Sequence, residues 1–193
     1  APFGKPAYIE KIKHHLIDIK EDGSFKLDMS YFDYCTGLTM TNKKFDRLFN
    51  FEFRSPNTAL KQVHMDLAAS IQAVLEEVIL KICRSLAHEY KIENLCLAGG
   101  VALNCVANGK IHSENLFKNI WIQPAAGDAG GALGAALLVW YQYLQNKRSA
   151  DGQQDTQHGS LLGPSYQKEE IRTYLESNQI PYQEQTDAEL PQR

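Results

Sequence analysis

Two short stretches constrain this chain more than any other: Leu95-Cys96-Leu97-Ala98-Gly99-Gly100-Val101-Ala102-Leu103-Asn104 and Trp121-Ile122-Gln123-Pro124-Ala125-Ala126-Gly127-Asp128-Ala129-Gly130-Gly131. In each, an apolar strand runs into small residues and a helix then begins, so uncrowded N–H groups face the carboxyl end of a strand, where an anion can sit. That edge is where α/β sheets bind phosphates. The two turns together predict one half of a nucleotide-binding cleft.

The remaining composition narrows the class. A length of 193 residues with 44% hydrophobic side chains allows a real core and about one to one and a half domains. A formal net charge of −3, without any clustered Lys/Arg run, gives no electrostatic basis for a nucleic-acid surface, so nucleic acid is not expected as a partner. The four cysteines, Cys35, Cys83, Cys96 and Cys105, contain no CxxC pair. With Cys96 expected in a buried strand and Cys83 on the apolar side of a helix, they read as core thiols of a reducing compartment. No run reaches the roughly 18 apolar residues of a membrane span, and the first residues lack the order of a secretory signal. A cytoplasmic protein without a membrane partner is expected. The first residue is not Met and residues 184–193 are polar without periodicity, so both ends read as cut from something longer.

Periodicity supplies the rest of the framework. Residues 7–13 read as a short helix, followed by a hairpin of His15-Leu16-Ile17-Asp18-Ile19 and Phe25-Lys26-Leu27-Asp28-Met29 turning at Asp22-Gly23. Residues 31–56 read as an irregular insert with one helix over 43–50, capped by Thr41 or Asn42. Leu60, Val63, Leu67, Ile71, Val74, Val78, Ile82 and Leu86 recur at threes and fours, predicting one long amphipathic helix over 58–90. Strand 95–98, helix 101–112, strand 119–123 and a long helix 129–145 follow, in an order that predicts a parallel pair with a right-handed crossover. Residues 149–160 read as a linker, and Ser165 opens a short helix beyond it.

Several side chains carry chemical possibilities, each with a plainer reading beside it. Asn104 can offer an amide to a purine edge or a ribose, or be a polar residue on a helix surface. Asp128, flanked by Gly127, Ala129, Gly130 and Gly131, is a helix cap or a ligand for a cation; a cap does not require two following glycines, which favours the ligand. Gly131, Gly134, Ala135 and Ala136 read mostly as close packing of a helix on the sheet. His14-His15 is a poor metal pair, because adjacent strand residues point to opposite faces. His64, Asp66, Ser70 and Gln72 read as helix-surface residues, beside the alternatives that Asp66 favours the helix dipole and His64 faces a cleft, and Glu76 with Glu77 as a solvated face rather than an acid/base pair. No histidine stands in a comparable glycine turn to activate Cys96 or Cys105, so nucleophilic catalysis is set aside.

Three motifs in order, Asp66-Leu67-Ala68-Ala69-Ser70-Ile71-Gln72, Leu97-Ala98-Gly99-Gly100-Val101-Ala102-Leu103-Asn104 and Pro124-Ala125-Ala126-Gly127-Asp128-Ala129-Gly130-Gly131-Ala132-Leu133-Gly134-Ala135-Ala136, resemble the O-carbamoyltransferases typified by nodulation protein U and antibiotic-tailoring carbamoyltransferases. Asp22-Gly23-Ser24-Phe25, Tyr31-Phe32 and Leu162-Gly163-Pro164-Ser165-Tyr166 extend the likeness. The resemblance implies an α/β actin-like ATPase (ribonuclease H-like) fold, of which residues 1–148 form the C-terminal half and residues 161–193 begin a C-terminal adenylate-forming domain. It further implies that carbamoyl phosphate and ATP give carbamoyl adenylate, from which the carbamoyl group passes to the hydroxyl of a small-molecule acceptor. On the family pattern Asn104 contacts the adenosine, Gly99, Gly100 and Gly127 approach the phosphate or carbamoyl end, Gly4 resembles a ribose-side glycine, and Asp128 is one ligand of a metal, usually iron.

The family often pairs subunits, so a homodimer is among its implications. Its other metal ligands are two histidines spaced H-x-x-x-H, a spacing this sequence lacks. This chain alone is therefore expected to transfer no carbamoyl group. A non-catalytic nucleotide-binding module and a sugar-kinase-type phosphotransferase of the same superfold are the two rival readings. No residue is identified as the base for the acceptor hydroxyl.

Overall fold

Ile9, Ile12 and Leu16 recur at helical spacing, and they carry the first helix, α1 (Ile9–His15), two residues further than the sequence suggested. The Leu16 N–H closes it on the Ile12 carbonyl at 2.8 Å. His14 and His15 are thus helical rather than strand residues, with their rings edge to face at 4.7 Å. The computed structural model describes residues 1–51, 54, 57–149, 157–186 and 188. These fall into two units, Ala1–Asn146 and Lys147–Arg193. Most of the expected linker, residues 150–156, and part of the polar end lie outside the described residues, as do four positions near the end of the expected insert.

In the first unit the hairpin forms as expected. Strands β1 (Ile17–Ile19) and β2 (Phe25–Leu27) pair antiparallel, with Asp18 opposite Lys26. The Asp22 carboxylate accepts from the backbone and hydroxyl of Ser24, at 2.9 and 2.7 Å, which fixes the turn. Helix α2 (Lys43–Phe49) starts behind Asn42, whose side chain accepts from the Lys44 and Phe45 N–H groups. It sends Phe45 and Phe49 into a core shared with Ile12, Leu16, Tyr31, Leu67 and Val74. Burying each of those phenylalanines is worth about 1.5 to 3 kcal/mol.

The long helix, α3 (Gln62–Tyr90), is 29 residues. It starts four residues later than the apolar period suggested, because the His64 ring accepts from the Lys61 N–H at 3.0 Å and sets the first turn there. Leu60 consequently lies outside the helix and is exposed. Leu67, Val74, Val78 and Cys83 are the buried stripe. Strands β3 (Asn94–Leu97) and β4 (Asn119–Ile122) then pair in parallel, with Leu95 opposite Ile120 and Cys96 opposite Trp121. Leu95 and Leu97 take the more covered face of β3, so Cys96 faces out and is exposed, contrary to its expected burial.

The crossover between these strands is not one helix. Residues Gly100–Leu103 form a 3₁₀ turn, Asn104 takes an extended conformation (φ −75°, ψ 92°), and helix α4 (Cys105–Ser113) begins afresh behind it. Ala107 and Ile111 of α4 are buried, and α4 packs on α3. The last long helix is also shorter than expected: α5 (Gly130–Leu138) gives way to a single π turn over Val139–Tyr143. None of its residues is buried, and a Cβ added at Gly131 or Gly134 would meet nothing within 4 Å. The small residues therefore do not mark close packing among the described residues. In the second unit α6 (Lys168–Ser177) is capped by Gln167, not Ser165, with the Glu170 carboxylate accepting from the Gln167 N–H at 2.7 Å. Among the described residues no helix is long and apolar enough to cross a membrane.

Candidate functional site

The parallel register of β3 and β4 brings both glycine-bearing turns out at the same end of the sheet. The Gln123 N–H donates to the Leu97 carbonyl at 3.1 Å, and one step beyond the strands the Gly99 N–H donates to the Ala126 carbonyl at 2.8 Å. That second bond yokes the two turns directly. Gly99 makes it at φ +97°, a backbone angle that side chains rarely tolerate. A Cβ at Gly99, Gly100 or Gly127 would meet no heavy atom within 4 Å, so the space over the three glycines is open. Among the described residues, the N–H groups of Gly100, Val101, Gly127 and Asp128 donate to no carbonyl or side chain. Four backbone donors at two yoked chain reversals are a ready anion cradle.

Asn104 ends the first turn. It is the N-cap of α4 rather than a residue within a helix, and its Oδ1 accepts from the Ala107 N–H at 3.1 Å. The same oxygen accepts from Gln72 Nε2 at 3.1 Å, while Asn104 Nδ2 donates to Gln72 Oε1 at 2.9 Å. Gln72 Nε2 also donates to Glu76 at 2.7 Å, and Glu76 forms an ion pair with Lys110 of α4. Burial pushes the Glu76 carboxyl up, but the bonds from Lys110 and Gln72 outweigh it and hold the group below the usual carboxylate range.

Glu76, Gln72 and Ser70 each depart from what the sequence suggested. Glu76 is not on a solvated face; it is 6% exposed. Gln72 is not a bystander on the helix surface. Ser70, placed on the surface as well, is fully buried, accepting from the Tyr8 N–H at 3.0 Å and donating to the Asp66 carbonyl at 2.7 Å. The Asp66 carboxylate accepts from the Lys5 N–H at 2.7 Å, a bond that is the main cause of its lowered pKa. The polar residues of the Asp66-to-Gln72 motif thus fasten α3 to the chain start on one side and to the Asn104 turn on the other. Nothing in the one-dimensional pattern could have shown partners 32 or 62 residues away.

Gly4 sits at that first fastening. A Cβ there would lie 1.9 Å from the Met65 carbonyl oxygen, so the chain start approaches α3 more closely than any side chain permits. Asp128 is exposed and does not cap α5, whose N-cap is Ala129 without a side-chain bond. The following Gly130 has its own structural reason, since a Cβ there would lie 2.0 Å from the Ala125 carbonyl oxygen. Among the described residues no group of three or more His, Cys, Asp or Glu stands together to hold a metal ion. Asp128 by itself does not make an iron site. Away from the turns, a cavity of about 850 Å³ lies between α2 and the start of α3 and is lined by Lys43, Arg47, Arg54, Lys61 and His64, with Asp46 as its acid.

Comparison with known proteins gives these features a context. The family model described as carbamoyltransferase N-terminus matches residues 1–137. An uncharacterised protein of Synechocystis is 59% identical over 91% of this chain and 28% of its own length. Nodulation protein NolNO of Sinorhizobium fredii is 37% identical over 72% of this chain and 19% of its own length. Nodulation protein NolO of Bradyrhizobium diazoefficiens is 34% identical over 72% of this chain and 23% of its own length. The chain thus spans between 19% and 28% of these relatives.

Proposed function

Because this chain belongs to the carbamoyltransferase family, we propose that it is part of an ATP-dependent O-carbamoyltransferase whose two glycine-bearing turns hold the adenylate that donates the carbamoyl group. In this reading residues 1–148 are the C-terminal half of an actin-like, ribonuclease H-like domain. Residues 149–160 are a linker, and 161–193 begin the domain that makes carbamoyl adenylate from carbamoyl phosphate and ATP. The cytoplasm, which supplies ATP, is the fitting compartment.

The observation that carries the reading is the bond from Gly99 to Ala126, which holds two sets of open N–H donors side by side. Those of Gly100, Val101, Gly127 and Asp128 would receive the phosphate of the adenylate, and Asn104 would contact its adenosine. In the transfer, the acceptor hydroxyl oxygen bonds to the carbamoyl carbon, the bond from that carbon to the phosphate oxygen breaks, and AMP leaves with the electron pair. The hydroxyl proton passes to a base or to water. Donors already aimed at the leaving phosphate stabilise the charge that develops there without reorganising. Asp128 would give one oxygen to an iron or other divalent ion.

Product analysis of the protein that carries this chain, with ATP, carbamoyl phosphate and a hydroxylated acceptor, tests the reading. AMP and pyrophosphate together with a carbamoylated acceptor are expected. ADP with a phosphorylated acceptor would instead identify a kinase-type phosphotransferase and overturn the proposal.

A further inference from the structure

We propose that Gln72 is a positioning residue that locks the Asn104 side-chain amide in one polarity, so that Asn104 meets a ligand as a hydrogen-bond donor and never as an acceptor. The inference rests on the reading of Asn104 as a nucleotide contact, and deepens it by stating which ligand atom it can take.

The lock follows from what each group can and cannot do. At one end, the Ala107 N–H only donates, so the Asn104 atom that it reaches at 3.1 Å must be the oxygen. The other terminal atom is then Nδ2, and its bond at 2.9 Å ends on the Gln72 oxygen. At the far end, an ionised Glu76 only accepts, so the Gln72 atom at 2.7 Å from it must be the nitrogen. Both ends therefore demand the same orientation of the two amides, and flipping either one would set donor against donor or acceptor against acceptor. Lys110 completes the arrangement by keeping Glu76 charged within its buried position.

Counting valences gives the consequence. Asn104 Oδ1 already accepts twice, from Ala107 and from Gln72. Gln72 Nε2 spends both hydrogens, on Glu76 and on Asn104. Asn104 Nδ2 spends one hydrogen on Gln72, and its second has no acceptor among the described residues. Between the two amides one N–H is left over, on Asn104, the residue that ends the first glycine turn. It suits a ring nitrogen, a ribose oxygen or a phosphate oxygen, and rejects an exocyclic amino group.

The test combines a spectroscopic signature with binding, using AMP as the probe. In the protein that carries this chain, the Asn104 Nδ2 proton bonded to Gln72 should lie downfield of the free-amide position and exchange slowly with solvent. Gln72→Met, which keeps length and helix propensity, should return that proton to the free-amide position, speed its exchange and weaken AMP binding about tenfold. Adding Asn104→Ala to Gln72→Met should weaken AMP little further, because the two residues act as one unit. Gln72→Leu, which removes both amide atoms, should reproduce the effect if the methionine variant fails to fold. Unchanged Asn104 resonances in both variants, or losses that multiply independently, would overturn the lock. If the wild-type protein that carries this chain binds no AMP, the nucleotide reading fails, while the Asn104 resonances still decide the lock.

Discussion

Glu76 and Glu77 are neighbours in sequence with separate fates, and only the residues brought to them by folding explain why. Glu77 meets Lys13 of α1 at 2.9 Å in a half-exposed pair, whereas Glu76 is enclosed between α3 and α4 against Lys110. Because the folded-state pKa of Glu76 lies below its unfolded value, its contribution to stability is fully present above the unfolded carboxylate pKa. It is lost as pH falls through the lower folded value. Lys110→Met should leave a buried carboxylate with only Gln72 for support and destabilise the chain by about 1 to 3 kcal/mol near neutral pH. Urea unfolding midpoints should show this loss shrinking as both proteins are titrated through the carboxylate range. A pH-independent loss would mean that Lys110 acts by packing alone. From sequence, it was legible that the two adjacent carboxylates project in different directions. The depth of Glu76 was not, since Lys110 lies 34 residues away and reaches it only through the crossover.

At the scale of elements, local chemistry decided where structure begins and long-range contacts decided how far it runs. The hairpin, the parallel pair and the long helix α3 were all readable, because turn residues and apolar spacing act within a few positions. The break of the crossover at Asn104 was hidden, because an asparagine after a 3₁₀ turn can continue a helix or cap a new one, and its bonds to Gln72 and Ala107 choose the cap. Two glycines on different elements give a sharp contrast. Gly4→Ala would force a methyl to 1.9 Å from the Met65 carbonyl oxygen, and should cost about 1 to 3 kcal/mol with a lowered Tm. Gly100→Ala points into open space and should leave Tm nearly unchanged, yet weaken AMP binding where the methyl occupies the cradle. The reverse pattern in thermal melts and titrations would show that Gly100 is the structural glycine.

For the whole molecule, order is concentrated around α3. Its buried stripe serves the aromatic core on one side and α4 on the other, while α5 buries none of its residues. Hydrogen exchange should accordingly be slowest in the middle of α3 and in α4, and fastest among the helices of the first unit in α5. Uniform protection across α3 and α5 would contradict that gradient. Membership of the carbamoyltransferase family was legible in three ordered motifs, and the match over residues 1–137 bears it out. The work of the first motif was not legible, because fastening α3 to the chain start and to Asn104 depends on partners that no local pattern encodes.

If the two turns form one nucleotide-binding surface, a single ligand must reach both. The decisive measurement is an AMP titration of the isotope-labelled protein that carries this chain, followed at the backbone amides. The amides of Gly100, Val101, Gly127 and Asp128 should shift together along one binding curve, with the Asn104 side chain. Shifts confined to one turn, or gathered instead on the basic cavity beside α2, would contradict it.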